Sequence, residues 1–172
     1  MLNKPSLNTL SRESVFCVYQ REYANSVEHG RMLGSCGASS CFILALRDRI
    51  SGYTVLSHID SKTIDPVARM TKASADVSNI DVYIASALYF LDSSVIDSIL
   101  SSLSQFRMVY CDLAGESYVA EGKSLVVDSE TGDYFVDVRN SVFKVDEDRI
   151  SNQSLEASCF SLMYGSELRK AK

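Results

Sequence analysis

The chain has 172 residues, and its 17 Lys and Arg against 22 Asp and Glu give a formal net charge of −5. That length fits one domain, residues 1–172, with a core large enough to need no disulfide or metal staple. The acidic balance argues against nucleic-acid backbones and anionic membrane surfaces as main partners. No apolar run approaches the roughly 18 residues of a membrane span. Residues 1–14 are polar and carry no apolar signal core, so a cytoplasmic location is expected. The five cysteines are Cys17, Cys36, Cys41, Cys111 and Cys159. Their odd number and the lack of Cys-x-x-Cys spacing argue against a disulfide framework or a zinc site. No metal and no cofactor is expected.

Residues 15–20 are rich in β-branched and aromatic side chains and predict a first strand. Residues 25–40 carry glycines and small polar residues and read as a loop. Residues 41–46 form an unbroken apolar run, the pattern of a fully buried strand. A polar turn separates them from a strand over 53–58. Asp65-Pro66 opens a helix to about Val77, with Val67, Met70 and Ala73 on its apolar face. Residues 80–85 alternate as a strand. A helix over 94–106 follows, with an apolar stripe of Val95, Ile96, Ile99, Leu100, Leu103 and Phe106. Residues 107–112 predict a further strand. Residues 124–128 and 133–138 flank Ser129-Glu130-Thr131-Gly132, a hairpin signal. Residues 146–154 read as a loop or short helix, 157–164 as a last strand, and 167–172, like 1–14, as a flexible end. Strands outnumber helices, which gives an α+β fold.

The chemistry concentrates at Cys41 and His58. A thiol opens one apolar strand and an imidazole closes the next, seventeen residues later. His29, the second of the two histidines, lies in a polar stretch with no strand to position it. A thiol needs a neighbouring imidazole to ionise near neutral pH, and the same imidazole can later protonate departing ammonia. Ser35 is the candidate orienter, because its hydroxyl can accept from the ring N–H. The small residues Gly37, Ala38, Ser39 and Ser40 let backbone N–H groups approach a substrate, as an oxyanion hole requires.

Val18-Tyr19-Gln20-Arg21-Glu22-Tyr23-Ala24, Leu33-Gly34-Ser35, Ala38-Ser39-Ser40-Cys41 and His58-Ile59-Asp60 closely resemble the protein N-terminal asparagine amidohydrolase family. That family carries a Gln-Arg-Glu segment, a Leu-Gly-Ser-x-x-Ala-Thr-Thr-Cys segment, and a His-x-Asp after the next strand. Asp81-Val82-Tyr83-Ile84 and the helix after it also resemble it. Ala85-Ser86-Ala87 departs from it, standing where the relatives carry a Gly-Gly pair. A more distant resemblance is to the chemoreceptor glutamine deamidase family, whose Cys-to-His spacing fits Cys41 and His58. Its threonine six residues before the nucleophile falls on Ser35. Cys36 sits in a Leu-Gly-Ser-Cys string, but aligning on it spoils the histidine spacing. Cys41 is therefore the nucleophile, with Cys36 expected as a second thiol in the mouth of the site.

The resemblance implies a layered β-sheet core with flanking helices, similar to the glutamine deamidase-like fold. It also implies a cysteine-dependent amidohydrolase that converts the N-terminal asparagine of a protein or peptide to aspartate and ammonia through a thioester. In eukaryotes that product would feed an N-degron pathway. Substrate contacts are expected from Asp60 and Glu22, which would meet the free α-ammonium, and from Ser40 and Cys36. The alternatives are a protein-glutamine deamidase, for example a bacterial effector delivered to a host cytoplasm, and a catalytically silent binding module.

Overall fold

The computed structural model describes residues 10–38, 40–60, 66–71, 79–87, 93–113, 122–149 and 169–172. In chain order the elements are β1 (Val15–Cys17), β2 (Glu22–Asn25), α1 (Ser26–His29), β3 (Met32–Ala38), β4 (Phe42–Asp48) and β5 (Thr54–Ile59). These are followed by α2 (Pro66–Thr71), β6 (Ile80–Ala85), α3 (Ser93–Leu103), β7 (Arg107–Asp112), β8 (Lys123–Asp128), β9 (Tyr134–Val136), β10 (Phe143–Lys144) and β11 (Arg169–Lys170). The fold is α+β, with two multi-stranded sheets and few helices.

One sheet has five strands in the order β10-β1-β3-β8-β9, and the other has six in the order β11-β2-β5-β4-β6-β7. The two sheets face each other. Val18, Leu33, Ile43, Leu56, Tyr83, Leu125 and Tyr134 form the core between them. A second core fills the other face of the six-stranded sheet. There Phe42, Leu44, Ile80, Val82 and Ile84 meet Val67 and Met70 of α2 and Ile99 and Leu103 of α3. The strands β4, β5 and β6 are therefore covered on both faces and buried along nearly their whole length. Such strands read as continuous apolar runs, which is how β4 is recognised in the sequence. A third cluster, with Val15, Cys17, Val126 and Phe143, lies on the outer face of the five-stranded sheet.

The predicted strands at 41–46, 53–58, 80–85 and 107–112 match β4 to β7 within two residues. The predicted hairpin matches β8 and β9, with Gly132 at φ 77° in the turn. Of the expected stripe, Val95, Ile96, Ile99, Leu103 and Phe106 pack into the second core.

Three expectations are corrected. The stretch 15–20 is not one strand: β1 ends at Cys17, and β2 begins at Glu22 in the opposite sheet. The stretch 25–40 is not a loop. It holds α1 and then β3, a central strand between β1 and β8. Gly34 serves packing here, since a methyl group on it would lie 2.6 Å from Val126 Cγ2 and 2.9 Å from Val15 Cγ1. Residues 169–172 are not frayed, because β11 pairs with β2 and Ala171 is buried in the inter-sheet core. The expected strand at 157–164 lies outside the described residues.

Gly34→Ala tests the close approach of β1, β3 and β8. Forcing a methyl into this contact should lower stability by roughly 1–3 kcal/mol, the usual cost of overpacking. Urea unfolding should show the midpoint falling with an unchanged slope.

Candidate functional site

The two sheets bring Ser35 of β3 over His58 of β5. The β4–β5 register pairs Ile43 with His58 and Phe42 with Ile59. Cys41 precedes and Asp60 follows this ladder, and the Asp60 charge acts on Cys41. Side chains alternate along strands, so the paired Ile43 and His58 share the face that looks into the inter-sheet core. Leu33 and Ser35 alternate in the same way on β3 and look back at them.

Ser35 Oγ donates to the Val18 carbonyl at 2.5 Å and lies 2.8 Å from His58 Nδ1. A hydroxyl has one hydrogen, and here it is committed to Val18. The ring must therefore donate its Nδ1–H to Ser35. That fixes the tautomer and leaves the lone pair on Nε2. The backbone of His58 is held too, its carbonyl accepting from Arg21 N–H at 2.7 Å. The segment between β1 and β2 thus grips both Ser35 and His58. Arg21 takes a left-handed backbone at φ 65° to make this turn, a conformation that costs a non-glycine residue energy.

Both reactive groups rest uncharged. Burial pushes His58 down from 6.5 to about 4, with Asp60 opposing the shift. Burial pushes the Cys41 thiol up to about 11, and the Asp60 charge adds to this. A hydrogen bond with Ser40 and the charge of Arg21 pull Cys41 partly back. Asp60 thus acts on both groups. It is buried, and its carboxylate accepts from Arg21 Nε and from Gln20 at 3.5 Å.

Of the residues singled out in the sequence, Ser35 meets His58, Asp60 acts on both His58 and Cys41, and Ser40 hydrogen-bonds Cys41. Glu22 and Cys36 make none of these contacts. The Glu22 carboxylate accepts from Arg149 at 2.5 Å and from Tyr19 N–H at 3.2 Å, and its charge acts on Cys17. Cys36 follows Ser35 on β3 and so points to the opposite face, where it packs with the outer cluster and pairs with Cys17. The expected second thiol at the mouth of the site is therefore behind the sheet. His29 lies at the edge, its ring tilted against Phe16 and 3.0 Å from the Ala171 carbonyl. Among the described residues, no cluster of three or more His, Cys, Asp or Glu is arranged to hold a metal. No described helix is long and apolar enough to cross a membrane.

Three partners were not singled out in the sequence: the Val18 carbonyl, Arg21 and Arg149. Arg21 sits inside the Gln20-Arg21-Glu22 motif, so a signal for it existed. Nothing local marks Arg149, which reaches Glu22 across 127 residues.

The depressed value of His58 couples folding to acid. The unfolded chain takes up the His58 proton near pH 6.5, whereas the folded chain resists it to about pH 4. The unfolded state thus binds more protons in that window, and stability falls as pH drops from 6.5 toward 4. Unfolding free energies measured by urea at pH 7, 5.5 and 4.5 should decline more steeply for the wild type than for His58→Gln.

No curated protein matches the chain. Residues 6–85 match a family model described as protein N-terminal asparagine amidohydrolase. That span holds Ser35, Cys41, His58 and Asp60, and it ends with β6. Over residues 6–85 the chain is therefore similar to the protein N-terminal asparagine amidohydrolase family.

Proposed function

We propose that this protein hydrolyses the side-chain amide of an N-terminal asparagine, with Cys41 as nucleophile, His58 as base and then acid, and Ser35 as orienter. The observation that carries the reading is the Ser35 hydroxyl, whose only proton goes to Val18 O. His58 is thereby left with a basic Nε2.

The reaction begins from a neutral pair. Cys41 Sγ attacks the amide carbon as its proton passes to His58 Nε2. The carbonyl oxygen becomes an oxyanion, and in this reading backbone N–H groups in the small-residue segment before Cys41 receive it. His58 then gives its proton to the amide nitrogen, ammonia leaves, and a thioester remains on Cys41. Water attacks the thioester with His58 as base, which releases aspartate and restores the thiol. Asp60 favours this sequence because its charge raises the proton affinity of His58 at the step where the ring must become cationic.

In this reading Asp60 is also the acid that meets the α-ammonium of the substrate. In an N-terminal asparagine that ammonium lies only three bonds from the amide carbon, so its partner must stand beside the thiol. The Asp60 charge acts on Cys41, whereas that of Glu22 acts on Cys17, although each acid is also paired with an arginine.

A peptide that begins with asparagine should gain about 1 Da on incubation with the protein, and its acetylated form should not. The same gain on an internal glutamine instead would favour a protein-glutamine deamidase. Cys41→Ala should reduce turnover by about 10⁴-fold or more. Ser35→Ala should reduce it less, and Ser35→Thr should keep most of it, because threonine retains the oxygen.

Asp60→Asn gives a separate test of ammonium recognition. A charge-assisted hydrogen bond contributes roughly 1.5–3 kcal/mol, so kcat/KM should fall about ten- to a hundredfold. The loss should fall mainly on KM, and discrimination against the acetylated peptide should weaken. An unchanged ratio for the two peptides would remove Asp60 from that role.

A further inference from the structure

The segment that leads into Cys41 is held from outside the span matched to the family. A methyl group on Gly122 would lie 2.6 Å from the Gly37 carbonyl carbon, 2.8 Å from Ala38 N and 2.9 Å from Gly37 O. These are backbone atoms, so no side-chain rotation relieves the contact. Gly122 also adopts φ 68°, a conformation that side chains rarely take. Ala87 N–H holds the Ala38 carbonyl at 3.1 Å, and Lys123 pairs with Ala38 across the β3–β8 ladder. The Gly37–Ala38 stretch is therefore fixed by Gly122, Lys123 and Ala87.

We infer that Gly122, with Ala87, is a positioning residue for the nucleophile: the bare Cα of Gly122 sets the path of the Gly37–Ala38 backbone and so the aim of the donors and thiol that follow. The inference rests on the amidohydrolase reading of Cys41. Its physical basis is the geometric demand of the oxyanion step. Donors must meet the position that the oxygen reaches in the transition state, and an error of about 1 Å at such a site can cost about 10²-fold.

Gly52 supplies the control. It also has a positive φ, 75°, and a methyl there would lie 2.7 Å from the Ser129 carbonyl oxygen. It occupies the β4–β5 turn, at the opposite end of those strands from Cys41 and His58. Gly52→Ala and Gly122→Ala therefore suffer the same two insults, one remote from the site and one beside it. Asparagine tolerates positive φ, so Gly122→Asn isolates the close contact and provides a second variant if Gly122→Ala does not fold.

The experiment compares thermal melting, kcat and KM on an N-terminal asparagine peptide, and the rate at which iodoacetamide labels Cys41, resolved by residue with mass spectrometry. The expected result is a kcat for Gly122→Ala or Gly122→Asn lowered about 10²-fold, with KM within about threefold. Gly52→Ala should melt at a similarly lowered temperature but keep kcat within about threefold. The Cys41 labelling rate should change in the Gly122 variants and not in Gly52→Ala. Equal losses of activity in the Gly52 and Gly122 variants, or wild-type kcat in either folded Gly122 variant, would overturn the inference. If the wild type leaves asparagine peptides unchanged, the labelling comparison decides alone. A change confined to the Gly122 variants keeps the positioning role and removes only the amidohydrolase reading, and no change removes both.

Discussion

The single proton of Ser35 is the constraint on which the site depends. It goes to the Val18 carbonyl, so His58 must donate to the same oxygen and can hold only one tautomer. For this to work, β1, β3 and β5 must come together, although β5 lies in a different sheet from the other two. The close packing of β3 on β1 and β8, the crossing of the chain from β1 to β2, and the left-handed turn at Arg21 all serve that meeting. The local conformational cost at Arg21 is offset by the bonds it makes to the His58 carbonyl and the Asp60 carboxylate.

The electrostatics follow from the same burial. An imidazole in the inter-sheet core resists protonation, and a thiol beside a carboxylate resists ionisation. Under the proposed mechanism Cys41 and His58 themselves become charged only during reaction, when proton transfer creates an imidazolium next to Asp60. The acids around the site are already matched with arginines: Asp60 with Arg21, and Glu22 with Arg149. Pairing of this kind limits the desolvation cost of burying them, although it adds little net stability.

What could be read from the sequence depended on how each element is buried. The strands β4, β5 and β6 are covered on both faces and announce themselves as apolar runs. The helix α3 shows its buried stripe at helical spacing. β3 was missed because its composition obeys a different rule: Gly34 and Ser35 are there to let other groups approach, so they mimic a loop. β11 was missed because two residues paired to a distant strand leave no periodicity. The Ser35–His58 contact, and the action of Asp60 on His58 and Cys41, agree with motif spacing and family resemblance read together. The placement of Glu22 and Cys36 does not. Glu22 was misplaced because its partner lies 127 residues away. Cys36 was misplaced because assigning it to the mouth assumed that its neighbourhood was a loop. Once it is a strand, alternation sends consecutive residues 35 and 36 to opposite faces.

That alternation divides the thiols into two populations with opposite tempers. Cys36, half-buried on the outer face, is held below the ordinary thiol value by its hydrogen bond from Cys17, against the effect of burial. Cys41, the expected nucleophile, is held up at about 11. An unselective electrophile added to the resting protein therefore finds a more acidic thiol on the other side of the sheet. Bulk thiol counts, fluorescent maleimides and inhibitor screens scored by total labelling would rank compounds by their taste for Cys36. Only reagents shaped like the substrate, able to enter the inter-sheet face and draw the Cys41 proton onto His58, would report on the site itself.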